Sequence, residues 1–177
     1  WDGSESSDWF DPLNWVGDTV PSAGNNAIIT APVVHAPSID GSTVAINVLL
    51  VGHPTSLGGV TLSLSNGASL VTLSANVGEN GINNAGNLLE LQSGTVALSG
   101  QSTWVSDFMM IGAFGEGAVH VTGASTITAN SSLAIGYHHN DVTGRSGNGS
   151  LTISGAGSEV TSTGSTVIGG GDAIDGG

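Results

Sequence analysis

A sequence motif repeated three times between Gly94 and Gly169 limits this chain to folds that stack similar units. The copies read GTVALSGQSTWVSDFMMIG at 94–112, GAVHVTGASTITANSSLAIG at 117–136 and GSLTISGAGSEVTSTGSTVIG at 149–169. Each has an alternating apolar segment, a glycine, a serine, a second apolar segment and a closing apolar residue followed by glycine. Self-similarity at such a period is typical of repeat architectures, so the sequence predicts a stack of equivalent rungs.

Alignment of the copies predicts which residues lie above one another in the stack. Three sets share a position: the alternating apolar pairs Val96/Leu98, Val119/Val121 and Leu151/Ile153; the corners Gly100, Gly123 and Gly155; and the serines Ser102, Ser125 and Ser158. A looser copy over 60–78 places Leu62 and Leu64 with the apolar pairs and Ser69 with Ser158. Trp104 stands where Ile127 and Val160 stand, so we expect it to fill core space.

The closing apolar-glycine corners give the number of rungs. They fall at Gly52, Gly78, Gly112, Gly136 and Gly169, with separations of 26, 34, 24 and 33 residues. A rung of three short strands needs roughly 20–25 residues, so the two longer intervals carry insertions. These insertions, 79–93 and 137–148, leave the same corner on alternate rungs, and we expect them to share one edge of the stack.

Period-2 alternation favours strands over helices. Segments such as Leu62-Ser-Leu64 and Val119-His-Val121 alternate strictly, which predicts that His120 faces solvent. Glycines recur too often for helices, and charged residues make up only 8% of the chain, as expected if like charges stacked about 4.8 Å apart would repel. The main alternative is an antiparallel sandwich, which does not call for repeats of this internal likeness.

Residues 1–40 differ from the rest of the chain. They contain Trp1, Trp9 and Trp15 of the four tryptophans, together with six of the fourteen acidic residues. Solenoid ends need covering, so the sequence predicts an N-terminal cap at 1–40 followed by solenoid repeats at 41–177. The alternative interpretation of the tryptophans is an aromatic platform for sugar binding.

The charge balance excludes some partners. The formal net charge is −13 and Arg145 is the sole Lys or Arg, so phosphate backbones and anionic membrane surfaces would be repelled. The sequence contains no run of about 18 apolar residues, so it predicts no membrane span in these residues. The lack of cysteine is compatible with export from a bacterium.

Candidate ligand-binding residues lie mainly in the two insertions. His138, His139, Asp141 and Arg145 form the densest polar cluster, although adjacent histidines on a strand point to opposite faces and make a poor metal site. Glu79 and Asn83 are the candidates in the first insertion.

Two acidic pairs suggest other chemistry. Asp172 and Asp175, in the terminal GGGDAIDGG, are weak candidates for Ca²⁺, the one cofactor that the sequence suggests. Asp107 and Glu116 flank the corner at Gly112 and are the acids that a hydrolase of this architecture would need close together. Neither pair lies in a catalytic motif, and we expect no enzymatic activity.

The opening WDGSESSDWFDPLNWVGDTVPSAGNNAII, followed by copies such as GSLTISGAGSEV, resembles the passenger regions of bacterial autotransporter and autotransporter-repeat surface proteins. It is also similar to long secreted repeat proteins of environmental Gram-negative bacteria. The resemblance implies a right-handed parallel β-helix exported to the cell surface, with adhesive, matrix or surface-layer roles. It implies no catalytic residues.

Together these observations predict a secreted or cell-surface, non-enzymatic β-solenoid of about five rungs that self-associates into a filament or surface layer. The alternative function is a carbohydrate-binding or carbohydrate-active β-helix module. It would use the insertions at 79–93 and 137–148 to bind surface glycans.

Overall fold

The structure, a computed structural model, describes residues 1–30, 33–52, 59–78, 93–112, 115–136 and 147–169. These residues form an all-β protein with one short 3-10 turn at Pro12–Asn14. The strands are β1 (Asn26–Ile29), β2 (Ser38–Asp40), β3 (Thr43–Val51), β4 (Val60–Ser65), β5 (Ser69–Val77), β6 (Ser93–Leu98), β7 (Thr103–Ile111), β8 (Glu116–Val121), β9 (Thr126–Ile135), β10 (Asn148–Ile153), β11 (Glu159–Ser162) and β12 (Ser165–Ile168).

The strands form two sheets in which every pairing is parallel. The larger sheet has the order β1-β3-β5-β7-β9-β11, with β12 also pairing with β9, and the smaller has the order β2-β4-β6-β8-β10. From β1 to β11 the chain visits the two sheets in alternation, so each of these strands pairs with those two places before and after it, whereas β12 pairs with β9. Parallel neighbours of this kind explain why similar phrases recur along the sequence.

The strand register confirms the predicted columns. Leu62, Val96, Val119 and Leu151 are successive partners, as are Leu64, Leu98, Val121 and Ile153. Trp104 lies between Leu70 and Ile127, and it is fully buried as expected. His120 is exposed on the outer face of β8, also as expected.

One aligned position is wrong by a single residue. Ser69 pairs with Thr103, which continues through Thr126 to Glu159, so Ser69 is not the counterpart of Ser158. Buried Ala68 takes that place, because its carbonyl accepts the amide of Thr103 just as the carbonyl of Ser102 accepts that of Thr126. Adjacent small residues, Ala-Ser, concealed the difference in the sequence.

The alternation of buried residues is interrupted once in each long strand of the larger sheet, with a change of parity in β3, β5 and β7 and a spacing of four between Ala129 and Leu133 in β9. In β3 the inward residues are Val44 and Ile46 and then, after a spacing of three, Leu49 and Val51. At the last level this break becomes a gap between β11 and β12. Strict alternation continues on either side, so one long strand presents two separate segments to the core.

The closing glycines form a ladder of equivalent hydrogen bonds. The amides of Gly52, Gly78, Gly112, Gly136 and Gly169 each donate to the carbonyl of the apolar residue one level before, at 2.7–2.9 Å. All five have positive φ, between 62° and 78°, a conformation that glycine adopts without strain from a Cβ. The five predicted corners are thereby confirmed.

The core is one continuous apolar cluster that includes residues of both sheets and the three N-terminal tryptophans. Of the described residues, none belongs to a helix with the length and apolar character required to cross a membrane.

Candidate functional site

The two insertions start and finish at one edge of the molecule. Gly78 and Gly136 follow Val77 and Ile135, which share a column with Ile111 between them. Ser93 and Asn148, the described residues at the far ends of the insertions, both pair with Glu116. The predicted sharing of one edge is thus confirmed for the flanking residues, and we call the Ser93–Glu116–Asn148 column the insertion edge.

Glycines make close packing possible at the insertion edge. Gly94, Gly117 and Gly149 begin equivalent strand segments, and a Cβ on any of them would overlap backbone atoms of earlier levels. For Gly117 those atoms are the carbonyl oxygen of Val77 and the amide nitrogen of Gly112, which are joined in the corner ladder. Side chains at these three positions would therefore force the corner apart.

A polar groove of about 310 Å³ lies along the insertion edge. Its side-chain groups are the Glu116 carboxylate, the Asn148 amide and the hydroxyls of Thr95 and Ser150. Sequence reasoning did not select Asn148, Thr95 or Ser150. These residues are far apart in the sequence, and the strand register is needed to show that they lie on neighbouring strands. A carboxylate, an amide and two hydroxyls can together bind a polyhydroxylated ligand through hydrogen bonds.

The predicted insertion residues His138, His139, Asp141, Arg145, Glu79 and Asn83 lie outside the described residues, as do Asp172 and Asp175. Their roles stay predictions. Within the ranges that the structure describes, no three His, Asp or Glu side chains are grouped so that they could hold a metal ion.

Asp107 and Glu116 are not placed as a hydrolase pair. Asp107 lies near the parity break of β7 and accepts a hydrogen bond from Asn130 at 3.0 Å. Gly112 follows Asp107 by five residues, which corresponds to about 16 Å along an extended strand. Glu116 lies beside Gly112 at the insertion edge, so it is separated from Asp107 by a similar distance. Carboxylate pairs in glycoside hydrolases are separated by only about 5–9.5 Å.

The three tryptophans form a buried cluster and do not display open ring faces. Trp1 and Trp9 each lie edge-to-face with Trp15, with ring centroids 5.0 and 4.7 Å apart. The indole nitrogens of Trp1 and Trp15 donate to the carbonyls of His35 and Trp9 at 2.9 and 2.8 Å. A sugar-binding platform needs an accessible ring face, so this cluster suits packing better than stacking on a ligand.

Asn14 connects several backbone groups around the three tryptophans, a role that the sequence analysis did not predict. Its side chain is fully buried and makes four hydrogen bonds. The oxygen accepts the amides of Glu5 and Ser6, and the nitrogen donates to the Ser6 hydroxyl and the Asp8 carbonyl, all within 3.0 Å. The sequence signal available was an amide residue between turn formers and Trp15.

Residues 1–25, which we call the N-terminal segment, also cover the first strands of both sheets. The amide of Ser38 in β2 donates to the Ser7 carbonyl at 2.8 Å, and the amide of Trp9 donates to the Ser38 carbonyl at 3.2 Å. The α-ammonium of Trp1 donates to the Ile28 carbonyl in β1 at 2.9 Å. Partial burial lowers the pKa of this ammonium, and the nearby Asp2 carboxylate opposes the shift.

A second groove, of about 610 Å³, lies beside this segment. Trp1, Trp15 and Val16 line it on one side and Asn26 and Ile28 of β1 on the other. Both tryptophans present little area to it, because they are buried.

The last level of the stack exposes residues that the other levels bury. Ile153 is 47% and Ile168 is 73% exposed, whereas their partners on the preceding level, Val121 and Ile135, are 0% and 7% exposed. No described strand pairs with the outer side of β10, β11 or β12. We call this outer edge of the three strands, together with the exposed side chains of Ile153 and Ile168, the open end.

Comparison of the chain with known protein families, curated proteins and solved structures found no match.

Proposed function

We propose that the chain is an extracellular, non-enzymatic scaffold that folds as a right-handed parallel β-helix of about five rungs and associates through its open end. Alternating visits to two parallel sheets, the ladder of glycine corners and the interrupted alternation in each long strand support this architecture. In such a coil the short strand and the two segments of the long strand are the three sides of one rung.

The observation that carries the functional proposal is the exposure of Ile153 and Ile168 at positions that are buried one level earlier. Exposed apolar side chains beside strand edges with which no described strand pairs favour the addition of more β structure. Self-association is therefore the expected behaviour of the purified chain, and a filament or surface layer was the form expected from the sequence.

The resemblance to autotransporter passengers supports the cellular setting of the proposal. On this basis the proposed scaffold acts outside a Gram-negative cell, in adhesion or in a surface matrix. A low charged fraction and a hydroxyl-rich smaller sheet suit a solvent-facing structural role, since stacked Ser and Thr side chains avoid like-charge repulsion.

Light scattering and electron microscopy on the purified chain test this proposal. We expect the average mass to rise with protein concentration. A particle that stays monomeric at every concentration would contradict the proposed self-association.

The insertion edge favours a second candidate function, carbohydrate binding. The groove with Glu116 and Asn148 lies between the described attachment points of both insertions, and a ligand bound there is the one that we expect the insertions to reach. A glycan array would compare the wild type with Glu116→Gln and with alanine at His138, His139, Asp141 and Arg145. The hypothesis fails if no glycan binds, or if binding is unaffected by all of these changes.

A further inference from the structure

We infer that a groove between the N-terminal segment and β2 binds a neutral sugar. The groove has a volume of about 420 Å³ and is lined by Ser7, Asp8, Phe10, Ser38, Asp40 and Ser42. This volume is within the range of about 300–1,000 Å³ that is usual for small-molecule sites. We call it the β2 groove. It shares no lining residue with the groove at the insertion edge, and the inference does not depend on the proposed scaffold function.

Backbone pairing brings the two sides of the β2 groove together. Asp8 and Ser38 form a parallel β-bridge. The Ser38 amide donates to the Ser7 carbonyl at 2.8 Å, and the Trp9 amide donates to the Ser38 carbonyl at 3.2 Å. The N-terminal segment is therefore held against β2 at the groove itself.

Alternation along both backbones turns polar and aromatic side chains into the β2 groove. Trp9 and Ile39 are fully buried in the core. Their sequence neighbours point to the opposite face and are exposed or partly exposed: Asp8, Phe10, Ser38 and Asp40. The buried residues anchor the two segments, and the residues on either side of them form the walls of the groove.

Hydrogen bonds within the protein orient both carboxylates of the β2 groove. Asp8 Oδ1 accepts the Phe10 amide at 2.9 Å. Asp40 Oδ1 accepts the Ser65 hydroxyl at 2.8 Å and the Asn66 side-chain nitrogen at 2.6 Å. No donor among the described residues bonds to the Oδ2 atom of either carboxylate. A ligand would meet acceptors that are already ordered, which lowers the entropic cost of binding.

The spacing of these groups suits one ring-shaped ligand. Asp40 lies two residues beyond Ser38, the bridge partner of Asp8, so the Cα atoms of the two aspartates are about 8 Å apart. The Phe10 side chain is 41% exposed and adds an apolar surface to the same groove. A pyranose has C–H groups that can cover an aromatic ring and hydroxyls around its rim that can reach the carboxylates.

The donors and acceptors of the β2 groove match those of a polyol. Carboxylates only accept hydrogen bonds, whereas the hydroxyls of Ser7, Ser38 and Ser42 both donate and accept. A sugar hydroxyl can donate to a carboxylate and accept from a serine. An ammonium ligand could pair with the carboxylates, but it offers no acceptor to the serine hydroxyls.

Charge and desolvation exclude other ligand classes. Residues 1–40 contain no Lys or Arg and six acidic side chains, Asp2, Glu5, Asp8, Asp11, Asp18 and Asp40. A carboxylated or sulfated sugar would be repelled, because no cation of this region offsets these charges. An apolar ligand would remove water from the two carboxylates of the groove without replacing the lost hydrogen bonds. The remaining class is an uncharged sugar.

Calorimetric titration of the 177-residue chain with neutral oligosaccharides of glucose, galactose and mannose tests this inference. We expect at least one of the three series to bind. Phe10→Ala removes the aromatic surface, and Asp40→Asn replaces an acceptor with a donor. Each should raise the Kd at least about tenfold, because a hydrogen bond to a charged group or an aromatic contact contributes on the order of 1.4 kcal/mol.

Matched controls separate the groove from general effects of substitution. Leu13→Ala shortens another exposed apolar side chain of the N-terminal segment. Asp107→Asn changes a carboxylate that also accepts a hydrogen bond from an asparagine, Asn130. Neither residue lines the β2 groove, so both variants should keep the wild-type Kd. Circular dichroism checks that each variant is folded, and Ser42→Ala, expected to weaken binding severalfold, replaces Phe10→Ala if that variant unfolds.

Each further outcome would overturn the inference in a distinguishable way. Binding of none of the neutral oligosaccharides would do so, as would a Kd that is insensitive to both Phe10→Ala and Asp40→Asn. Binding of glucosamine oligomers alone, lost at high salt, would identify a cation site. If only Glu116→Gln raised the Kd, the sugar would bind at the insertion edge and the second candidate function would stand. Self-association, measured by light scattering without sugar, is unaffected by any of these results.

Discussion

The two ends of the stack are built from the same columns of residues and finish in opposite ways. At the N-terminal end, 25 residues without a long strand cover both sheets with three tryptophans, a buried asparagine and backbone hydrogen bonds to β1 and β2. At the other end the last level leaves Ile153 and Ile168 in solvent. A repeat makes each level dependent on the next, so the two ends of the described stack differ in how much apolar surface they expose.

The largest expected effect comes from emptying the covered end. Trp9→Ala removes a fully buried ring between two others and should lower the free energy of unfolding by about 4 kcal/mol, measured by urea denaturation. The matched change at the open end, Ile168→Ala, should cost less than about 0.5 kcal/mol under conditions that keep the chain monomeric. Equal losses would contradict the difference between the ends.

Corner glycines give a second comparison, between an interior level and the last one. A Cβ at Gly112 would overlap the backbone of Asn148, whereas a Cβ at Gly169 would have no described neighbour within 4 Å. Both glycines have positive φ, which costs an alanine about 1–2 kcal/mol. We therefore expect Gly112→Ala to cost about 3 kcal/mol or more and Gly169→Ala about 1 kcal/mol in the same denaturation assay.

Asn14 sharpens the comparison with a polar residue. Asn14→Ala leaves the partly buried amides of Glu5 and Ser6 without their side-chain acceptor, and should cost about 2 kcal/mol. The control is Asn130→Ala, which removes one exposed hydrogen bond to Asp107 and should cost less than about 0.5 kcal/mol. Thermal unfolding followed by circular dichroism measures both, and a larger loss at Asn130 would refute the assigned role of Asn14.

The serines of the repeat provide the smallest expected difference. The Ser102 hydroxyl is buried and donates to the Ser99 carbonyl at 2.7 Å. Ser158 makes the same kind of bond to the Ser154 carbonyl at 2.8 Å, in a more exposed setting. Ser102→Ala should lower the free energy of unfolding by about 1 kcal/mol and Ser158→Ala by about half of that. If both variants lost the same free energy of unfolding, burial of the serine hydroxyl would have no effect on the strength of this hydrogen bond.

The sequence was a good guide wherever structure repeats. Parity and glycine spacing predicted the columns around Leu98, Trp104 and Gly112, because one conformation recurs on every level and leaves its pattern several times. The same logic located the shared attachment points of the insertions at Gly78 and Gly136.

Features that occur only once were harder to predict. Asn14 makes three of its four hydrogen bonds with backbone groups that the chain brings near it, and residue types alone do not specify such contacts. The groove at Glu116 required the register of three strands. Ser69 was misplaced because alanine and serine are interchangeable in a tight turn, and only the ladder of amides distinguishes Ala68 from its neighbour.

Hydrogen exchange measured at low and high protein concentration tests the difference between the two ends most directly. We expect amides in residues 148–169 to exchange faster than those in residues 26–51 in the monomer, and to gain protection selectively as the concentration rises. Concentration-dependent protection within residues 1–51, or faster exchange there than in 148–169, would contradict a covered N-terminal end and an open, associating C-terminal level.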